Sequence, residues 1–145
     1  MKYILHTDGG SRGNPGPAGA GAVLTDEKGK TLKEASQALG VMPNNEAEYH
    51  GLLLGLDLAK KTLGKEKIKN LNIEVQLDSE LVVSQLNGEY QIKEERLQKL
   101  FMTVWNARVA TFKNIKFTHV PRSQNRRADE LANLAMDEGE KKSLF

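Results

Sequence analysis

Apolar and polar residues alternate in short runs near the amino terminus of this chain, and from Ala47 onward the apolar ones recur at helical spacing. Tyr3-Ile4-Leu5-His6-Thr7 reads as a short strand, followed by Gly9-Gly10-Ser11-Arg12-Gly13-Asn14-Pro15-Gly16-Pro17, a turn-rich stretch expected to continue neither strand nor helix. Ala18 to Thr25 and Thr31 to Leu39 form two further extended segments, joined by a hairpin turn at Asp26-Glu27-Lys28-Gly29. Asn44-Asn45 then introduces a helix running to about Leu63. Ala47, Leu54 and Leu58, with Leu52, Leu56, Ala59 and Leu63, mark its wide buried stripe, and Gly64 ends it. Leu71 to Leu77 alternates with period two, and Asp78-Ser79 caps a helix from Glu80 to Leu86. A helix from about Glu94 to Val109, a strand from Ile115 to Val120 and a helix from about Gln124 to Glu138 complete the order. Three strands and then alternating helices and strands predict an α/β sandwich around a mixed sheet. No linker or internal repeat divides the chain, so residues 1–145 are expected to form one domain, with a core from about 2 to 138 and a frayed tail from Lys141 to Phe145.

Composition narrows the chemistry. At 145 residues and 16.1 kDa the chain can bury a sizeable core. It contains no cysteine, which excludes disulfides, thiolate nucleophiles and cysteine-ligated zinc or iron–sulfur centres. With only His6, His50 and His119 as imidazoles, a histidine-dominated transition-metal site is not expected. A net charge of +2 and a pI near 8.8 permit a nucleic-acid partner without requiring one. There is no apolar stretch long enough for a bilayer and no signal-peptide pattern, so a soluble, cytoplasmic, monomeric protein is expected.

Four carboxylates stand out by position: Asp8 after the first strand, Glu48 in the first turn of the long helix, Asp78 after the alternating strand and Asp129 opening the last helix. Each alone has a structural explanation. Asp8 suits a turn, Asn45 with Glu48 resembles a capping box, Asp78 suits a helix cap, and Asp129 favours the positive end of its helix. Jointly they point elsewhere, because Asp8 and Asp78 both follow strands, and open α/β sheets bind ligands outside the carboxyl ends of their strands. If the first, fourth and fifth strands are adjacent and parallel, the acids converge at one sheet edge. A ligand set made of carboxylate oxygens selects hard cations, Mg²⁺ or Mn²⁺. Beside Asp8, the glycines admit a close ligand backbone, and Ser11, Arg12 and Asn14 offer donors to phosphate or sugar oxygens. No Gly-x-Gly-x-x-Gly opens a helix there, so this is not a dinucleotide fingerprint.

Thr7-Asp8-Gly9-Gly10-Ser11-Arg12-Gly13-Asn14-Pro15-Gly16, Asn44-Asn45-Glu46-Ala47-Glu48, Leu77-Asp78-Ser79 and Asn125-Arg126-Arg127-Ala128-Asp129-Glu130-Leu131-Ala132 resemble, in order, the four signature blocks of the type 1 ribonuclease H family. The resemblance runs from about residue 2 to about residue 138. It implies a ribonuclease H-like fold, a five-stranded mixed sheet of three antiparallel and then two parallel strands, flanked by helices. It further implies an endoribonuclease that hydrolyses the RNA strand of an RNA–DNA hybrid, leaving 5′-phosphate and 3′-hydroxyl ends. Two Mg²⁺ ions per site are implied, with Mn²⁺ as a substitute. Asp8 would bridge both ions, Asp129 would hold the one that activates water, and Glu48 and Asp78 the one facing the leaving group. By the same resemblance Asn14, Asn44, Asn45 and the backbone around Gly10 would contact the hybrid's minor groove, where 2′-hydroxyls distinguish RNA from DNA. Turn and cap roles are the alternative for the three asparagines.

The chain also departs from the better-known bacterial members. Their basic, tryptophan-rich protrusion is replaced by the acidic stretch Asn87-Gly88-Glu89-Tyr90-Gln91-Ile92-Lys93-Glu94-Glu95. Their histidine loop is replaced by Pro121-Arg122-Ser123-Gln124-Asn125, which makes Arg122 the expected stand-in near the scissile phosphate. Pro43 stands where many relatives have a threonine that contacts phosphate, and Glu80 where some carry an amide. His119 shares strand parity with Ile115 and Phe117 and is expected to be packed; Trp105, with Val104 and Phe101, is expected in the core. The run Lys60, Lys61, Lys65, Lys67 and Lys69 is read as a solvated face, with a duplex-phosphate patch as the alternative. Two rivals remain: a related nuclease acting on double-stranded RNA, embedded ribonucleotides or DNA junctions, and a non-catalytic hybrid-binding module.

Overall fold

The structure is a computed structural model, described over residues 1–143. Strands β1 (Lys2–Ser11), β2 (Gly16–Asp26) and β3 (Thr31–Met42) form an antiparallel meander, and helix α1 (Asn44–Leu63) follows directly. After a short 3-10 turn come β4 (Asn72–Leu77), α2 (Glu80–Leu86), α3 (Glu95–Ala110), β5 (Asn114–His119), a second 3-10 turn and α4 (Arg126–Ser143). The sheet order is β3-β2-β1-β4-β5, with β1–β4 and β4–β5 parallel. The expected five-stranded mixed sheet is therefore present, with its first, fourth and fifth strands adjacent and parallel.

Strand β1 overruns its expected end. Gly9, Gly10 and Ser11 remain in the ladder, opposite Ala20, Gly19 and Ala18 of β2. Gly9 is needed there by a helix rather than by a turn. A Cβ on Gly9 would stand 1.9 Å from the carbonyl oxygen of Ala47, so α1 can lie this close only because Gly9 has no side chain. The last helix also outruns its expectation, continuing to Ser143; Leu144 and Phe145, the end of the expected frayed tail, lie outside the described residues.

Two helical layers cover the sheet. On one face α1 buries Leu52, Leu56, Leu58 and Ala59 with Leu5, Leu24, Ile73 and Val75 of the sheet, and Leu97 and Val104 of α3 join the same core. Each such side chain contributes about 1.5–3 kcal/mol through removal from water. On the other face α4 presents Ala128, Leu131, Ala132, Ala135 and Met136, all buried. Small residues dominate that stripe because α4 rests directly on β2. A Cβ at Gly21 would fall 2.3 Å from the Ala128 carbonyl oxygen, and one at Gly19 2.5 Å from that of Ala132.

Candidate active site

The parallel register explains why two of the acids meet. Pairing of β1 with β4 ends at His6↔Gln76, so continuing it by one step of the pleat sets Asp8 beside Asp78, just past the end of β4. Neighbouring strands are about 4.8 Å apart. Glycines on α1 bring in the third acid: a Cβ at Gly51 would lie 2.3 Å from the Asp8 carbonyl oxygen, and one at Gly55 2.5 Å from Cγ2 of Thr7. This contact holds the amino-terminal half of α1, with Glu48, against β1. Asp129 arrives from the opposite face in the first turn of α4.

All four carboxylates line one pocket of about 480 Å³, together with Gly10, Ser11, Arg12, Asn44 and Arg122. Their structural explanations fail in two cases. Ser79, not Asp78, caps α2, its side chain accepting from the Val82 N–H at 3.2 Å. At the start of α1 the N-cap is Pro43 and no side chain caps it; Asn45 Oδ1 instead accepts from the Glu46 N–H at 2.9 Å, so no capping box forms with Glu48.

Electrostatics set these acids apart. Burial, then the charges of Asp78 and Asp129, push the Asp8 carboxyl up to about 8. Burial, partly offset by a hydrogen bond with Ser79 and reinforced by Asp78, raises Glu48 to about 7. Among the described residues no three His, Asp or Glu side chains are gathered tightly enough to enclose an ion as they stand. The acids line the pocket instead, and ionising them together demands a cation between them. Their all-oxygen donor set fits Mg²⁺ or Mn²⁺.

The accessory residues divide into groups. Arg122 faces the pocket, its Nη2 donating to Asp129 Oδ1 at 3.1 Å. Ser11, Asn14 and Asn44 bond to one another: the Ser11 N–H donates to Asn44 Oδ1 at 2.8 Å, and the Asn44 N–H to Asn14 Oδ1 at 3.1 Å. This network ties the end of β1 to the start of α1 through the amide oxygens. Asn14, Asn44 and Asn45 also line an adjoining groove of about 450 Å³ with Leu81 and Glu94. Arg12 lines the main pocket, but its guanidinium is paired with Asp137 and with Glu140 at 3.2 Å, both on α4. As a phosphate donor it would compete with two carboxylates.

Two sequence expectations are corrected. His119 is exposed rather than packed, because β5 is an edge strand and its last residue lies at the sheet's end. Trp105 is 47% exposed and lies beneath the Arg108 guanidinium, 5.8 Å from the ring centroid, while its neighbour Val104 takes the core position. The lysine run splits as well: Lys60, Lys65 and Lys69 line a separate cleft of about 600 Å³ that contains none of the four acids. Two residues of the signature blocks had no assigned role. Glu46 is buried with Arg96 Nη1 at 3.5 Å, linking α1 to α3, and Asn125 is fully enclosed before α4.

Comparison with known proteins bears on this geometry. Residues 6–135 match the family model described as reverse transcriptase-like. A bifunctional protein of Mycobacterium tuberculosis is 46% identical over 138 residues, covering 94% of this chain and 36% of that protein. The chain thus spans about a third of the length of its mycobacterial relatives. A ribonuclease H of Lachnoclostridium phytofermentans is 32% identical over 96% of this chain and 94% of its own length. Among solved structures, a ribonuclease H1 in complex with an RNA/DNA hybrid superposes with a TM-score of 0.90 at 44% identity, covering 94% of this chain and 97% of that one.

Proposed function

Because this chain belongs to the reverse transcriptase-like family that includes ribonuclease H, we propose that it is an endoribonuclease cutting the RNA strand of RNA–DNA hybrids to 5′-phosphate and 3′-hydroxyl ends. The observation that carries the reading is the convergence of Asp8, Glu48, Asp78 and Asp129 on one pocket, with the first two raised to about 8 and about 7. A relative of 44% identity crystallised with such a hybrid supports the substrate class.

Asp8, Glu48, Asp78 and Asp129 are the residues that would hold two Mg²⁺ ions, or Mn²⁺ in their place. When bound, such ions supply an activated water, charge stabilisation at phosphorus and help for the departing 3′-oxygen. Asp8, influenced by both Asp78 and Asp129, is suited to be the shared ligand. Asp129 would serve the side that activates water, and Glu48 and Asp78 the side facing the leaving group. Arg122 leaves its pairing with Asp129 to face the scissile phosphate as a fixed cation. The backbone of Gly10 and the side chains of Ser11, Asn14, Asn44 and Asn45 read sugars and phosphates along the groove, with Arg12 chiefly bracing α4. In this reading the chain works as one ribonuclease H domain, a cytoplasmic monomer. Among the described residues no helix is long and apolar enough to cross a membrane.

Cleavage of matched hybrid, RNA duplex, DNA duplex and single-ribonucleotide duplexes under a Mg²⁺ titration tests the proposal. The hybrid is expected to be cut internally, and only with metal. Preference for another duplex would favour a related nuclease of the same fold. Binding of hybrid without cleavage at any metal concentration would favour a non-catalytic module.

A further inference from the structure

Asn125 is 1% exposed and lies just before α4. Its Nδ2 donates to the carbonyl oxygen of Thr7 at 2.8 Å. Thr7 immediately precedes Asp8 and is the first β1 residue beyond the last pair with β4, so the amide takes up bonding where that strand leaves off. The main chain of Asn125 serves the other side of the pocket. Its carbonyl oxygen accepts from the Asp129 N–H at 3.0 Å, and its own N–H donates to the Arg122 carbonyl oxygen at 3.0 Å. One residue therefore holds the strand segment bearing Asp8 by its side chain, and the helical turn bearing Asp129 by its backbone.

The amide of Asn125 is satisfied on its donor side only. Among the described residues its buried Oδ1 has no hydrogen-bond partner, and an unpaired buried acceptor is destabilising. An apolar residue of similar size would remove that oxygen but leave the Thr7 carbonyl oxygen without its Asn125 donor, so what Asn125 supplies over such a residue is the tie to Thr7.

We propose that Asn125 is a positioning residue that sets the separation of Asp8 and Asp129 for a divalent cation before the cation arrives. This rests on the metal-dependent reading given above. Asn125→Leu removes the donor and the unpaired oxygen together, and Asn125→Ser keeps a polar side chain too short to reach Thr7. Calorimetric Mn²⁺ binding, thermal melting, and kcat and KM on a hybrid are measured for the full chain and both variants. Affinity for Mn²⁺ is expected to fall about tenfold, in keeping with losses of supporting hydrogen bonds at metal sites. At fixed subsaturating metal kcat falls while KM for the hybrid holds, in each variant that thermal melting shows to be folded at the assay temperature. Unchanged Mn²⁺ affinity in either folded variant would overturn the inference and leave the metal reading intact. If the wild-type chain bound no Mn²⁺, both would fall together. If Asn125→Leu does not fold, Asn125→Ser decides.

Discussion

At the scale of single residues, the site stores its chemistry as protons held above their ordinary range. Asp8 moves from 3.8 to about 8 and Glu48 from 4.5 to about 7, in both cases first because burial penalises the charged form. The folded chain therefore keeps protons that the unfolded chain releases near pH 4. Between about pH 4 and about pH 8 the folded state binds more protons, and unfolding free energy falls as pH rises. Melting temperature in chelator is expected to decline across that window, and saturating Mg²⁺ should flatten the decline by compensating the charges. A chelated protein that melts higher at pH 8 than at pH 5 would contradict the assignment. Asp8→Asn separates stability from activity: with no charge to desolvate, the variant should melt above the wild type in chelator at pH 8. It should also lose Mg²⁺-dependent cleavage while still binding hybrid, and cleavage at an undiminished rate would refute the roles given to the four acids. These acids were legible in the sequence because each follows a strand or opens a helix. Their shifted protonation was not, since it depends on how closely other elements enclose them.

At the scale of elements, two helices reach the sheet through glycines on opposite faces, and the site exists where those approaches coincide. Gly51→Ala would drive a Cβ to within 2.3 Å of the Asp8 carbonyl oxygen, backbone against backbone, with no flexible side chain to give way. A loss of about 1–3 kcal/mol is expected from such overpacking. Cleavage should fall with it, because the same contact sets Glu48 against Asp8. Gly139→Ala provides the contrast: it lies within α4 with nothing among the described residues within 4 Å of its added Cβ. Helix propensity alone should then raise stability by about 0.5–1 kcal/mol with cleavage unchanged, a result denaturant melts can check. The misread end of β1 has the same origin. Gly9 and Gly10 carry the signature of a turn, and only the ladder with β2 and the helix lying on Gly9 show that they are strand residues. Periodicity likewise placed His119 and Trp105 by their own element's parity. It could not show that β5 is an edge strand, or that α3 is covered on one side alone.

At the scale of the molecule, the question is how a chain with a net charge of +2 grips a polyanion. The acidic stretch that replaces a basic protrusion contains Glu94, and Glu94 lines the groove shared by Asn14, Asn44, Asn45 and Glu48. Lys93 precedes Glu94 in the chain, but among the described residues that line the groove there is no lysine or arginine. Lys60, Lys65 and Lys69 gather at the far end of α1, where Lys60 and Lys61 complement the negative end of that helix. A duplex in the groove therefore passes an exposed carboxylate with no basic side chain among the described residues that line it. Phosphate contacts dominate nucleic-acid affinity and weaken with salt, so a misplaced negative charge should act on binding far more than on chemistry. Glu94→Lys is expected to lower KM for a hybrid several-fold near 50 mM salt with kcat unchanged, because the residue touches the groove and not the carboxylate pocket. The gain should shrink as the screening length contracts toward about 3 Å at 1 M salt. An unaltered KM at low salt would mean that the duplex follows another path across the protein, and the grip would then have to be sought away from this groove.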